Sequence, residues 1–207
     1  MKLTIFGATG GTGRQLVEQS LAAGHEVTAL ARTPAKLDLQ HPKLTILQGD
    51  ILNAEQVAAA LAGAAAALSA LGTSNESPDG LLPNGMKNIL QGMKMHGVKR
   101  IVAVSSLGVG NSRDQIPLAF KLVIQTIPLL KKSLRELEQM ETLLQQSGVE
   151  WIVVRPGGLT NEPATGIYQF GLDPKIKPAR VPRADVAAFM LKQLTDDTFL
   201  RKAPAVT

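Results

Sequence analysis

The chain of 207 residues contains no cysteine, and this absence removes several kinds of chemistry at once. Disulfide bonds, thiolate nucleophiles and cysteine-ligated metal sites are all excluded. Aromatic residues make up only 3% of the chain, and its 22 lysine and arginine residues are scattered. Nucleic-acid binding therefore lacks both a basic motif and stacking platforms. The formal net charge of +5 favours anionic ligands in general.

Long hydrophobic runs are absent as well. The longest apolar stretch, Val57 to Leu71, is interrupted by Gly63 and Ser69 and falls short of the roughly 18 residues that a membrane span needs. A strand-like run begins at Leu3, so we expect no signal peptide at the N-terminus. Together with the lack of cysteine, this indicates a cytoplasmic protein that does not associate with a membrane.

A metal-binding pattern is also missing. The three histidines, His25, His41 and His96, lie in predicted turns or at a predicted helix end, and none shares a ligand spacing with a carboxylate. We therefore predict no metal site.

The first thirteen residues carry the clearest functional signal. Leu3, Ile5 and Phe6 form an apolar strand that runs directly into a glycine-rich turn and then an amphipathic helix from Gly11 to about Ala23. In such a layout Gly7 permits a sharp turn, Gly10 lets a pyrophosphate approach the backbone, and Gly13 lets the helix pack close to the strand. The pattern predicts a dinucleotide-binding site at the helix N-terminus.

Strand-like and helix-like segments alternate along the rest of the chain. This alternation predicts an α/β fold, a single Rossmann-type doubly wound parallel sheet with helices on both faces, spanning residues 1–207. We expect substrate-side loops near 107–130 and 157–182. The further predicted strands are Glu26–Ala31, Leu44–Gln48, Ala66–Leu71, Arg100–Val104 and Trp151–Arg155.

A strong helix is predicted from Lys131 to Ser147, with an apolar stripe that should be buried. Opposite charges recur at helical spacing along it, so we expect them to form a solvated face. The charged residues in question are Lys131, Lys132, Arg135, Glu136, Glu138 and Glu141.

The end of the second strand predicts which dinucleotide is preferred. NAD-dependent enzymes usually place an acidic residue there to hold the ribose 2′-hydroxyl, whereas this chain has Arg32, followed by Lys36. A guanidinium can form charge-assisted bonds with a 2′-phosphate, which an acid would repel. We therefore predict NADPH, with Arg32 as the main contact and Lys36 as a helper. The alternative is that Arg32 is an ordinary surface arginine.

The ends of the third and fourth strands should form the rest of the cofactor crevice. Asp50 and Ile51 follow the third strand and are expected to lie beside the cofactor. The alternative for Asp50 is a helix cap near Ala54, for which Asn53 is equally suited. A topological switch point near the fourth strand places three more residues beside the cofactor, namely Leu71, Gly72 and Thr73.

Two serines follow the fifth strand, at the edge of the sheet where the nicotinamide is expected. Ser105 is predicted to contact the cofactor and Ser106 to face the reacting groups. The alternative is that both hydroxyls only satisfy backbone groups in a turn. Pro156 and Gly157 leave the sixth strand at the same crevice and are also expected to contact the cofactor.

A proton donor for carbonyl reduction is absent. Reductases of isolated carbonyls in the short-chain dehydrogenase class use a tyrosine followed four residues later by lysine, but the one tyrosine, Tyr168, is followed at that spacing by Leu172. Flavins, quinones and conjugated tetrapyrroles do not need a strong protein acid, because their reduction leaves a delocalised anion that water can protonate. The chain is then expected to contribute by positioning the two reactants.

With these residues in view, the chain resembles the NADPH-dependent flavin reductase family, also called biliverdin reductase B, among the atypical short-chain dehydrogenases. The resemblance covers nearly the whole chain. It is carried by Leu3 to Gly10 with Thr12 and Gly13, Gly49-Asp50, Leu71 to Thr73, Met93-Lys94 with His96 to Val98, Val104 to Ser106, Glu162-Pro163 with Thr165, Gly166 and Tyr168, and Phe189 to Leu191 with Leu194-Thr195.

The resemblance implies a monomer that binds NADPH and reduces flavins or biliverdin-type tetrapyrroles in a permissive pocket, the flavin being a substrate (FMN or FAD) rather than a prosthetic group. Ser106 would lie beside nicotinamide and substrate, Arg32 would bind the 2′-phosphate, Asp50 and Ile51 would hold the adenine, and Arg180 would be the basic residue of a late loop. The pyrophosphate would be held by Gly7, Thr9, Gly10, Gly11, Thr12 and Gly13.

One segment departs from this family. After the sixth strand the chain has Arg155-Pro156-Gly157-Gly158, a pattern that resembles the NmrA-like and extended branches, and Gly158 replaces a histidine. The alternatives to a flavin or bilin reductase are therefore an NmrA-like sensor that binds NADP(H) without turnover, and a quinone reductase. A sensor would show an exposed apolar patch near Phe120 to Ile127, and an enzyme would show an open crevice above Ser106.

Overall fold

Short apolar runs form one large sheet in the computed structural model, which describes residues 1–116, 124, 126–172 and 179–207. Side chains such as those of Ile5 and Val102 are fully buried because helices cover both faces of the sheet. Six mutually parallel strands lie in the order β3-β2-β1-β4-β5-β6. They are β1 (Lys2–Phe6), β2 (Glu26–Ala31), β3 (Leu44–Gln48), β4 (Ala66–Ser69), β5 (Arg100–Val104) and β6 (Glu150–Pro156).

Helices pack on both faces of this sheet. In the described residues they are α1 (Gly11–Ala22), α2 (Ala54–Leu61), α3 (Leu81–His96), α4 (Pro128–Gln146) and α5 (Arg183–Lys192). One buried apolar cluster joins α1 and α5 to the sheet, and a second joins α2, α3 and α4 to its other face. This arrangement confirms the predicted doubly wound α/β fold.

Four very short strands extend the architecture beyond the prediction. β10 (Ala205–Val206) pairs in parallel with β6, and β8 (Phe170–Gly171) pairs antiparallel with β10 at the sheet edge. β7 (Gly158–Thr160) and β9 (Arg180–Pro182) form a separate parallel pair. Segments of two or three residues carry no readable periodicity, so tertiary pairing alone decides their conformation.

One helix starts earlier than the sequence predicts. α4 begins at Pro128, three residues before the expected start at Lys131. Proline suits the first turn of a helix because its missing N–H would have no partner there. The predicted strand from Ala66 to Leu71 ends earlier, at Ser69.

The prediction of a solvated charged face on α4 was wrong for two of its glutamates. Glu136 and Glu141 are only 4% and 2% exposed. The carboxylate of Glu136 accepts hydrogen bonds from the N–H groups of Gly80 and Leu82, at 2.9 and 3.0 Å, and so caps α3. Glu141 is buried because it pairs with an arginine of β6. By contrast, Lys131 and Arg135 are exposed as expected.

The predicted substrate-side loops near 107–130 and 157–182 fall partly outside the described residues, which leave out 117–123, 125 and 173–178. The expected patch near Phe120 to Ile127 lies mostly there too, although Ile127 is described and is 41% exposed. No helix among the described residues is long and apolar enough to cross a membrane. The described residues also hold no cluster of histidine and acidic side chains suited to a metal ion.

Candidate functional site

A cleft of about 580 Å³ opens at the carboxyl ends of β1, β2, β4 and β5. β2 and β4 lie on opposite sides of β1, so the strand order reverses at this point of the sheet. Open α/β sheets bind their ligands at such a reversal. Most residues predicted to hold the cofactor line this cleft. They are Gly7, Thr9, Gly10, Gly11, Thr12, Arg32, Ile51, Leu71, Gly72, Thr73 and Ser105.

The glycine turn between β1 and α1 is tightly packed. Gly7 has a φ of +78°, and a Cβ there would lie 2.5 Å from the Ala70 carbonyl oxygen. A Cβ at Gly13 would lie 2.0 Å from the Gly7 carbonyl oxygen, which confirms that Gly13 allows the helix to pack closely on the turn. Neither position can accept a side chain without a backbone shift.

The first turn of α1 faces the same cleft. Its N-cap, Gly10, has no side chain to satisfy the first N–H groups, and the residues Gly11 and Thr12 line the cleft. Free N–H groups and the positive end of the helix dipole are suited to an anion. The turn and the helix together fit the phosphates of a dinucleotide.

Arg32 stands at one end of the cleft, directly after β2. It is exposed, and in the described part of the chain it has neither a hydrogen bond nor an ion pair. Lys36 is also exposed, in a short 3₁₀ helix (Pro34–Lys36), but does not line the cleft. Selection of NADPH by these residues stays a prediction.

The structure separates the two predicted roles of Asp50. Its carboxylate accepts a hydrogen bond from the Leu52 N–H at 2.9 Å, whereas the cap of α2 is Asn53, which accepts from the Gln56 N–H at 3.0 Å. Asp50 is therefore not the cap. It lies beside the lining residue Ile51, and its contact with adenine stays a prediction.

Helix α4 closes the cleft opposite the glycine turn. The hydroxyl groups of Thr73 and Ser133 form a short hydrogen bond across the two elements. The Lys132 ammonium donates to the Ser77 carbonyl at 2.8 Å and pairs with Asp79 at 2.6 Å. These contacts, together with the Glu136 cap, attach the loop that follows β4 to α4.

A buried polar network lies behind the predicted nicotinamide end. Ser105 donates to Glu141 Oε1 at 2.5 Å. Arg155 donates to both oxygens of the same carboxylate, from Nε at 3.1 Å and from Nη2 at 2.5 Å, and its Nη1 donates to the Asn111 side chain. The Arg155 and Glu141 side chains are 4% and 3% exposed. The network thus joins the ends of β5 and β6 to α4.

Ser106 lies next to this network but does not line the cleft. Its hydroxyl donates to the Leu107 carbonyl at 3.1 Å, and its own carbonyl accepts from the Val109 N–H. These are the turn contacts of the alternative interpretation, so the role of Ser106 beside the substrate stays a prediction. Because the hydroxyl of Ser105 already donates to Glu141, Ser105 can meet a ligand only as an acceptor or through its backbone.

Besides Gly13, Lys36 and Asp50, three more predicted cofactor contacts do not line the cleft. Pro156 ends β6, and Gly157 packs so tightly that a Cβ would lie 2.1 Å from the Ala179 carbonyl oxygen. Arg180 on β9 lines a second cleft, together with Tyr168 and the C-terminal Thr207. Their contacts with the cofactor stay predictions.

Beyond Ser105 in the chain, the cleft lining includes four residues that the sequence did not predict. They are Ser133 and Leu137 from α4, Leu159 from β7, and Arg183 from the start of α5. The spacing of four between Ser133 and Leu137 indicates a shared helix face, but not which surface it meets. Arg183 did carry a signal, because a cation at the first position of a helix opposes the helix dipole.

Tyr168 lies in an aromatic cluster rather than in the cleft. Its ring stands 6.0 Å from that of Phe170 and 6.3 Å edge-on from that of Phe189, and the Lys192 ammonium lies 6.0 Å from its ring centre. It lines the second cleft. The chain's one tyrosine is therefore part of packing near the C-terminus.

The geometry of the cleft agrees with a match to a protein family. The family model described as NAD(P)H-binding matches residues 7–197. The chain belongs to this NAD(P)H-binding family. The chain therefore has an NAD(P)H-binding, oxidoreductase-like fold, and the cleft is the candidate site for the dinucleotide.

Two relatives of known sequence are similar to parts of the chain. An uncharacterized chloroplastic protein of Arabidopsis thaliana is 32% identical over 177 residues, 80% of this chain and 61% of that protein. A 3-beta-hydroxysteroid dehydrogenase of Mycolicibacterium neoaurum is 33% identical over 120 residues, 52% of this chain and 32% of the enzyme. The chain thus spans less than two thirds of either relative.

Several solved structures are similar over the full length of the chain, and ChuY is one of them. ChuY, an anaerobilin reductase from Escherichia coli O157:H7, superposes with a TM-score of 0.83 at 26% identity, covering 100% of this chain and 96% of ChuY.

Proposed function

We propose that the protein is an NADPH-dependent reductase that passes hydride to flavins and to linear, biliverdin-type tetrapyrroles, with water as the proton source. One observation carries this proposal. The glycine turn and the first turn of α1 line the candidate NAD(P)H cleft, yet the only tyrosine of the chain lines a different cleft. A hydride acceptor that needs no strong protein acid fits such a cleft best.

The composition of the cleft supports this choice of acceptor. Among the described residues that line it there is no aspartate, glutamate, histidine, lysine or tyrosine, so the polar side chains of the lining offer a ligand only hydroxyl and guanidinium groups. A delocalised acceptor anion can take its proton from water. Leu137 and Leu159 give the cleft an apolar wall on which a flat conjugated ring can pack.

NADPH bound in the cleft would supply the hydride. The chain's own residues would position the two reactants and select the dinucleotide. Arg32 would hold the 2′-phosphate, since it is exposed at the end of β2 and no acid of the described residues neutralises it. The network of Ser105, Glu141 and Arg155 would fix the end of β5, so that Ser106 meets the acceptor in one orientation. These residues act through placement rather than proton transfer.

The similarity to ChuY supports a bilin-type acceptor, because ChuY is an anaerobilin reductase of nearly the same length. The same proposal includes a monomeric cytoplasmic protein whose partners are small molecules, without nucleic acid or membrane. Quinones are a further acceptor of the same kind, because they too are reduced to delocalised anions.

The test is a panel of acceptors offered with NADPH, with loss of the reduced nicotinamide absorbance followed over time. We expect FMN or biliverdin to raise the rate above that of protein without acceptor, and an isolated ketone to leave it unchanged. Ketone reduction at a comparable rate would overturn the argument from the missing tyrosine. Tight binding of NADPH without turnover of any acceptor would instead favour the redox sensor.

A further inference from the structure

Arg183 lies against the N-terminus of α1, although it is 172 positions away from Gly11 (183 − 11). It is the first residue of α5, and its side chain crosses the first residue of α1. A Cβ at Gly11 would lie 2.6 Å from Arg183 Cδ and 2.9 Å from Nε. Gly11 is thus the residue that leaves room for the arginine, and both line the NAD(P)H cleft.

The packing of α1 on α5 holds this arrangement in place. The Gln19 amide of α1 donates to the Ala184 carbonyl at 2.9 Å. Arg183 Nη1 donates to the Asn161 side chain at 2.7 Å, which orients the guanidinium. Arg183 therefore reaches the cleft from a rigid helix rather than from a loop.

The guanidinium has donors left for a ligand. It carries five N–H groups, and among the described residues it makes one hydrogen bond and no ion pair. The carboxylate nearest in sequence, Asp185, is 1% exposed and accepts from the Thr165 N–H and hydroxyl, at 3.0 and 2.7 Å, and from the Gly166 N–H at 3.0 Å. It is thus engaged by the loop before β8 rather than by Arg183.

The charge of Arg183 is poorly placed for α5 itself. A cation at the start of a helix opposes the helix dipole, and here the positive end of α1 is adjacent. Positive potential from two helix ends and one guanidinium therefore converges beside Gly11. An anion at this point would interact favourably with both helix ends and with the guanidinium. The pyrophosphate of NAD(P)H is the anion that such a glycine turn accepts.

We propose that Arg183 is a second arginine contact of the dinucleotide and binds its pyrophosphate, whereas Arg32 reads the 2′-phosphate. The proposal depends on dinucleotide binding in the cleft, and it is independent of the acceptor that receives the hydride. Arg183 then determines affinity for NADP(H) and NAD(H) alike, and Arg32 determines the choice between them.

Three ligands distinguish these roles in binding titrations. NADP⁺ has both the pyrophosphate and the 2′-phosphate, NAD⁺ has only the pyrophosphate, and adenosine 2′-monophosphate has only the 2′-phosphate. We expect Arg183→Gln to weaken NADP⁺ and NAD⁺ by similar factors of about tenfold or more, since charge-assisted bonds are lost. Binding of adenosine 2′-monophosphate should change by less than about twofold, since its phosphate does not reach the turn.

Arg32→Gln should show the opposite pattern, with NADP⁺ and adenosine 2′-monophosphate weakened and NAD⁺ unchanged. Lys192→Gln removes one positive charge from the last residue of the same helix and should leave all three affinities unchanged. Arg183→Lys keeps the positive charge but loses the planar guanidinium with its paired N–H donors, so it should bind NAD⁺ with intermediate affinity. Thermal unfolding of each variant verifies that it is folded.

The proposal is overturned if Arg183→Gln, in a folded protein, leaves NAD⁺ affinity unchanged. Loss of adenosine 2′-monophosphate binding to the same extent as NADP⁺ would also overturn it, because Arg183 would then act on the adenosine end. These titrations do not involve turnover of FMN or biliverdin. They therefore test the role of Arg183 even if the protein reduces neither acceptor.

Discussion

Replacing Glu141 by glutamine should destabilise the protein strongly, because it leaves the Arg155 guanidinium buried without a counter-charge. The two side chains are 3% and 4% exposed and are joined by two hydrogen bonds, at 3.1 and 2.5 Å. Removing one partner of a buried ion pair costs about 3–5 kcal/mol. For a chain of this size the melting temperature should fall by roughly 6–20 °C, at about 2–4 °C per kcal/mol.

Urea unfolding followed by tryptophan fluorescence measures this loss. The one tryptophan, Trp151, lies on β6 four residues before Arg155 and is 8% exposed, so its emission reports on the strand concerned. Glu138→Gln is the matched control on the same helix. Its ion pair with Arg113 is largely exposed, at 61% and 46% for the two side chains, and its loss should cost less than about 1 kcal/mol.

A double variant separates the charge effect from packing. Glu141→Leu with Arg155→Met replaces the pair by apolar side chains and should recover part of the stability lost in Glu141→Gln. If Glu141→Gln costs no more than Glu138→Gln, the buried pair does not hold β5, β6 and α4 together, and the assignment of a positioning role to this network fails.

Three further predictions concern the glycine turn, the cofactor preference and the C-terminal half. Gly13→Ala should lower the free energy of unfolding by about 1–3 kcal/mol, since its methyl group would lie 2.0 Å from the Gly7 carbonyl oxygen, whereas Gly72→Ala, with open space around it, should leave the thermal midpoint unchanged. Arg32→Glu should abolish the preference for NADPH over NADH, measured as the ratio of their kcat/KM values; an unchanged ratio would refute the role of Arg32. Burial raises the pKa of Asp185, but hydrogen bonds from the loop before β8 outweigh it and lower the pKa overall. Its stabilising contribution is therefore complete above the ordinary aspartate pKa of about 3.9 and is lost as the pH falls through the lowered value. Thermal melts should show the advantage of the natural protein over Asp185→Asn shrinking only in acid, and an advantage that persisted in acid would contradict the argument.

The part of the site that sequence predicts well is the part built locally. The turn between β1 and α1 is made by neighbours in sequence, so the spacing of Gly7, Gly10 and Gly13 is enough to place a strand, a close packing contact and a helix N-terminus. The same is true of Arg32. It follows β2 directly and therefore must lie at the carboxyl ends of the parallel strands, where the cleft opens.

The burial of Glu141 shows where local reasoning stops. Its helix has a clear apolar stripe, and a charged residue beside such a stripe usually stays in solvent. Glu141 is buried because Arg155 and Ser105 meet it from β6 and the end of β5, and nothing in the spacing pairs them. A long-range ion pair is a property of the assembled sheet.

Arg180 and Arg183 make the same point for the cofactor contacts. They are three residues apart in one basic segment, so sequence position does not distinguish them. Arg180 lies on β9 and lines the second cleft, while Arg183 starts a helix that packs against α1. The packing of the two helices, rather than the presence of a basic residue, decides which arginine lines the cleft at the glycine turn.

Hydride transfer within the cleft is tested most directly with NADPH deuterated at C4 of the nicotinamide, on one face or on the other, and FMN as the acceptor. A cleft that holds the ring in one orientation predicts that one label slows FMN reduction and the other leaves the rate unchanged. Equal effects from both labels, or no reduction beyond the protein-free rate, would contradict the proposal that this cleft catalyses the reaction.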